Sequence, residues 1–132
     1  MIWFLRILFS VVLGSMLWVT TWASLHQPLG EFARGAVIRD PWVIATMFDT
    51  YWAFTAVFVW VAWKEQSIAA RVLWFLAVMA LGNVAIASYL LRELLAVPAG
   101  GPLADVFARR NPGRTLLPGL LAAAAVAVYL LA

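Results

Sequence analysis

The sequence predicts an all-α, polytopic membrane protein: four transmembrane helices in an antiparallel bundle, with a short interfacial helix between the third and fourth. Three observations predict it. The chain of 132 residues is 66% hydrophobic and only 11% charged, under half the roughly 25% of a soluble domain. Its mean hydropathy is +0.96, and a soluble protein this small has too little interior to hide so much apolar surface. The apolar residues also gather into four segments, each close to the ~20 residues that cross a hydrocarbon core of ~30 Å. Lipid offers backbone groups no partner, so these segments are expected to be helices, and four strands could not close a barrel. There is room for one transmembrane domain, 1–132.

The first segment, 2–23, is interrupted only by Arg6 near its start. A secretory signal would have a shorter apolar run and a more basic start, so this one reads as a true span. A loop over 24–41 follows, with Pro28, Gly30 and Gly35. Asp40-Pro41 opens the second helix, 42–63, because proline at a first helical position lacks only an N–H that would have gone unpaired. The connection from Lys64 to Arg71 is short, which makes helices two and three, the latter over 72–91, antiparallel neighbours. In the loop 92–115, Pro98-Ala99-Gly100-Gly101-Pro102 breaks any helix and Asn111-Pro112-Gly113 makes a turn. Between them, 103–110 forms the short interfacial helix, with Arg109 and Arg110 reaching headgroups. The fourth span is 116–132.

Four crossings put both long loops on one side. That side carries Arg34, Arg39, Arg92, Arg109, Arg110 and Arg114, against Arg6, Lys64 and Arg71 on the other. The excess places loops 24–41 and 92–115 in the cytoplasm and both termini outside.

Composition excludes several chemistries. With no cysteine, disulfides, thiolate metal sites and cysteine nucleophiles are impossible. The net charge of +3 comes from basic residues spread over helix ends and loops, which fits membrane lipids as partners and not nucleic acid. His26 stands alone in a loop, short of the second histidine that a bis-histidine haem needs. No Ser/His/Asp grouping, phosphate-cradling glycine loop or metal-ligand cluster is present, so the sequence supports no catalytic, metal or cofactor assignment.

Asp49 is the most informative residue. It lies about two turns inside the second helix, where a lone carboxylate costs ~2.5–3.5 kcal/mol on insertion scales at the bilayer centre. Ala45, Ala53 and Ala56 share its face, a stripe that lets another helix approach closely. On an antiparallel third helix its level corresponds to Asn83 through Ser88. The candidate buried polar network is therefore Asp49, Asn83, Tyr51, Ser88, Tyr89 and Arg92, with Asn83 and Arg92 requiring different helix rotations. The Lys64-Glu65 step reads as a helix-end charge cluster with Lys64 snorkelling to the surface.

Eight tryptophans are present. Trp3, Trp22, Trp42, Trp63 and Trp74 fall near expected helix ends and form an interfacial belt, while Trp18, Trp52 and Trp60 lie deeper. A lipid or pigment bound against these rings is the alternative. Gly119, Ala123 and Ala127 on helix four repeat at four-residue spacing, as do Ser10 and Gly14 on helix one. Such small-residue stripes pack helices together, either within the chain or against a partner subunit.

Several runs resemble an uncharacterised family of small plant and bacterial membrane proteins, catalogued as a domain of unknown function. They are Trp22-Ala23-Ser24-Leu25, PWVIATMFDTYW over 41–52, VWVAWKE over 59–65, and RVLWF with Leu81-Gly82-Asn83 and Tyr89. The resemblance covers roughly 14–95 and leaves the last helix outside. It implies a multi-helix membrane fold and carries no activity with it.

The functional expectation is a structural or accessory subunit of a larger integral membrane complex, packing other membrane subunits through tryptophan-rich and small-residue faces. The alternative is a small carrier or isomerase-like binder of a lipid or other hydrophobic molecule, centred on Asp49. The surroundings of Asp49 discriminate them: an enclosed, hydrogen-bonded carboxyl favours the first, a pocket open to lipid or water the second. A homo-oligomeric pore fits less well, since no helix has a continuous polar stripe.

Overall fold

The computed structural model describes residues 1–132 as seven α-helices with no strand. They are α1 (Ile2–His26), α2 (Leu29–Arg34), α3 (Pro41–Lys64), α4 (Ile68–Leu81), α5 (Asn83–Leu95), α6 (Leu103–Ala108) and α7 (Leu116–Leu131), with a 3-10 turn over Val37–Arg39. Two of them, α1 and α3, are long and apolar enough to cross a membrane. At 1.5 Å per residue they reach about 36 Å each.

Local chemistry sets the boundaries. Asp40 Oδ1 accepts a hydrogen bond from Trp42 N at 2.8 Å and Pro41 takes the first position of α3. Ser67 caps α4 through Ala70 N. In α1 the hydroxyls of Ser10, Ser15, Thr20, Thr21 and Ser24 bond carbonyls of their own helix. Each is thereby satisfied without a partner from another helix.

The third expected span is corrected by the structure: 72–91 is not one helix. It breaks at Gly82, whose φ of +54° lies in the left-handed range that favours glycine. The chain turns back there on a single residue. In a continuous helix Trp74 and Tyr89 would stand about 22 Å apart along the axis; their ring centroids are 4.8 Å apart, edge to face. Phe54 of α3 presses against the turn, within 2.6 Å of where a Cβ on residue 82 would sit. The helices α4 and α5 thus form a tight hairpin of 14 and 13 residues, and each arm, at about 20 Å, is too short to span ~30 Å of hydrocarbon.

The hairpin is the centre of the packing. One arm, α5, lies along α1, and the other, α4, lies between α3 and α7. Tyr129 Oη donates to the Ala80 carbonyl at 3.0 Å and Gly119 faces Leu73, so α7 runs parallel to α4. A core of Val61, Trp74, Ala77, Val78, Ala85, Ile86 and Tyr89 fills the hairpin and its contact with α3. A second cluster, Ile2, Leu94, Val97 and Val106, joins α6 to the start of α1 and the end of α5. Arg6 pins that junction by donating to the carbonyls of Leu94 at 2.9 Å and Val97 at 2.7 Å.

This folding-back decides which segments share an end of the molecule. The start of α1, the end of α3 and the 96–115 loop gather at one end, while the 27–40 loop lies at the other. There, Ala132 O sits 3.4 Å from the Cβ position of Gly30. The long loops, and likewise the two terminal residues, lie at opposite ends.

Candidate functional site

The end where α3, α4, α5 and α6 meet encloses a network of charges. The network begins with Lys64 and Glu65, which close α3 and turn the chain into α4. Both are fully buried, and the backbone on either side is held by Asn111, whose N donates to Lys64 O at 2.8 Å and whose O accepts from Gln66 N at 3.2 Å. Gly113, with φ of +89°, follows so closely on Ser67 that no side chain fits there. The Asn-Pro-Gly turn is thus the clamp that fastens the last loop over the α3–α4 joint.

From the hairpin come Tyr89, Arg92 and Glu93. Residues three and four apart share a helix face, so these three point together at Lys64 and Glu65. Lys64 Nζ meets Glu93 Oε2 at 2.8 Å and also donates to Val106 O. Glu65 Oε1 accepts from Arg92, from Tyr89 Oη at 3.0 Å and from Asn111 Nδ2 at 2.9 Å. Glu93 Oε1 accepts from Arg92 Nη2 at 2.8 Å and from Asn111 Nδ2 at 2.9 Å. Arg109 reaches Glu93 Oε2 from the rim at 3.5 Å. Trp74 and Trp60 wall the site, with the Arg92 guanidinium 5.2 Å from the Trp74 ring and Lys64 Nζ 5.2 Å from the Trp60 ring.

Two cations and two carboxylates balance, as burial of charge requires. Burial alone would raise the Glu93 carboxyl, but hydrogen bonds from Lys64 and Arg92 outweigh it and hold it below the ordinary carboxylate range. Burial would lower Arg92, and the bonds to Glu65 and Glu93 more than reverse that. Two buried polar atoms have no protein partner, Glu65 Oε2 and Trp74 Nε1. Nearly every donor and acceptor is engaged, so this arrangement is built to hold four segments in register.

The residues predicted from sequence divide. Tyr89 and Arg92 are in the network. Ser88 only bonds the Val84 carbonyl of its own helix. Asp49, Tyr51 and Asn83 lie on exposed surface and make no side-chain hydrogen bond, with the Tyr51 ring resting on Phe54. The hairpin is the reason: α5 runs back toward the charged end, so Asn83 begins that return instead of descending beside Asp49. Lys64 does not snorkel outward but inward, to Glu93. Trp74 belongs to the core and not to the belt, whereas Trp3, Trp22, Trp42 and Trp63 are exposed. The stripes at Gly119, Ala123, Ala127 and at Ser10, Gly14 face mostly outward, with only Gly119 approaching α4.

Glu93 and Asn111 were missed. The spacing of Tyr89, Arg92 and Glu93 was the available signal for the first. Nothing local marks Asn111, which resembles an ordinary turn residue.

The chain belongs to a family of proteins of unknown function, DUF1475, whose family model matches residues 1–111, in line with the resemblance to an uncharacterised family. The match ends on Asn111 and so takes in the whole buried network, leaving α7 outside. No curated protein and no solved structure matches the chain.

Proposed function

We propose that this protein is an integral membrane subunit that supports a larger membrane assembly, docking a partner helix on the outer face of α3. In this reading α1 and α3 cross the bilayer, α7 packs along α4 beside them, and the α4–α5 hairpin enters the bilayer from the charged end and returns. The observation that carries the reading is Asp49. It stands exposed on a membrane-length helix whose apolar stretch buries none of its residues within the chain. Every other deep carboxylate is paired, as Glu65 and Glu93 are. A carboxyl facing hydrocarbon needs a hydrogen-bonding or cationic partner, and Ala45, Ala53 and Ala56 beside it leave room for a second helix to come close. The partner helix would therefore carry a basic or amide side chain at that depth. The outward-facing Ser10–Gly14 and Ala123–Ala127 stripes supply further contact surface of the same kind.

The enclosed network supports this reading over a catalytic one. Lys64, Glu65 and Glu93 are sealed from solvent, so no substrate has a path to them.

The test is purification from the native membrane in gentle detergent, followed by native mass spectrometry. Recovery with larger subunits in fixed ratio is expected, and Asp49→Leu should release the chain from them while it remains folded. Recovery of the wild-type chain alone would overturn the proposal, as would an Asp49→Leu chain that stays assembled.

A further inference from the structure

The charge of this molecule is divided unevenly between its ends. Of nine basic residues, seven lie at the end of the buried network: Arg6, Lys64, Arg71, Arg92, Arg109, Arg110 and Arg114. Glu65 and Glu93 neutralise Lys64 and Arg92, which leaves five arginines against the single exposed acid Asp105. At the other end Arg34 and Arg39 are matched in number by Glu31 and Asp40. The net positive charge of the protein therefore resides on one face.

Within that face three arginines flank the Asn111 turn. Arg109, Arg110 and Arg114 are all exposed. Arg110 and Arg114 meet no carboxylate, and Arg109 has only a 3.5 Å contact to Glu93, which already holds Lys64. Arg110 lies over the Trp63 ring at 5.2 Å. Beside them sit exposed apolar groups, Trp63 at 49%, Phe107 at 49% and Leu116 at 75% exposure. Three exposed guanidinium groups in one turn, with exposed tryptophan, phenylalanine and leucine near it in the chain or in contact with it, suit a leaflet surface, which offers phosphate to the first and acyl chain to the second.

We propose that the Arg109–Arg114 turn, with its Trp63, Phe107 and Leu116 rim, is a binding surface for anionic phospholipid headgroups, and that this end faces the anionic cytoplasmic leaflet. The inference rests on the membrane reading above. The buried network gives it a rigid base, because Asn111, in the middle of the turn, is tied to Lys64, Glu65 and Glu93.

The experiment uses the full chain in nanodiscs of mixed phosphatidylcholine and phosphatidylglycerol, with native mass spectrometry of the lipids that stay bound. Several-fold enrichment of phosphatidylglycerol over its bulk fraction is expected on the wild type. In the Arg110→Gln/Arg114→Gln variant the enrichment should fall to the bulk ratio, while Arg34→Gln/Arg39→Gln should keep it. Bulk composition on the wild type overturns the lipid site, as does retention by the first variant or displacement of the lipid by inorganic phosphate. Alkaline carbonate extraction separates the two claims. Release of the chain into the soluble fraction would defeat the membrane reading itself, whereas a chain that stays in the membrane without enrichment defeats only the lipid site.

Discussion

Glu93 joins three cations in one place: Lys64 from α3, Arg92 from its own helix, and Arg109 from the loop after α6. Removing one partner of a buried pair leaves the other charge uncompensated, at roughly 3–5 kcal/mol. Glu93→Gln is accordingly expected to destabilise the protein by about that amount, measured by denaturant unfolding in detergent. The pH dependence follows from the same contacts. Hydrogen bonds from Lys64 and Arg92 hold the Glu93 carboxyl below the ordinary carboxylate range, so its contribution is fully present above the unfolded pKa and is lost as pH falls through the lower folded value. A wild-type melting temperature that is level above about pH 5 and declines in more acid solution is expected, with a shallower acid decline in Glu93→Gln. Equal acid slopes in the two proteins would show that Glu93 is not ionised in the folded state. Of the network, only Tyr89 and Arg92 were legible from sequence. They stood out as polar residues in an apolar helix, but Lys64 and Glu65 at a helix end look the same whether they turn outward or inward.

At the scale of elements, the decisive feature is the turn at Gly82. An apolar run from 72 to 91 has the length of a membrane span, and one glycine in it gives no sign of whether the helix continues. What decides is tertiary: Phe54 sits against the turn, and Trp74 with Tyr89 packs the two arms together. Gly82→Ala adds a Cβ 2.6 Å from Phe54 Cζ at a φ of +54°, so both a clash and backbone strain of about 1–3 kcal/mol arise. Unfolding measurements should show a loss of at least that size. The double variant Gly82→Ala/Phe54→Ala should recover only the clash, because the strain at residue 82 persists. Full recovery in the double variant would mean that the backbone there is not strained. The caps were more legible than the hairpin: Asp40-Pro41 opens α3 as its chemistry requires, since capping is a local interaction and folding back is not.

For the whole molecule, the hairpin changes which segments share an end. Four full crossings would put the 24–41 and 92–115 loops together, with six basic residues against three. The hairpin instead puts the two loops at opposite ends of the molecule, where the basic residues divide seven against two. Apolar length along the sequence fixes how many segments prefer lipid, but not whether each goes through or turns back, so topology was the least legible property. The absence of cysteine makes it directly measurable, because a single introduced thiol is the only one present. Ala36→Cys and Gly100→Cys place that thiol on the two loops, at an exposed residue and at a glycine with open space around it. In sealed vesicles of uniform orientation, a membrane-impermeant maleimide should label one of these variants from outside and the other only after the membrane is opened. Labelling of both from the same side would contradict the re-entrant hairpin and restore a bundle of four complete spans.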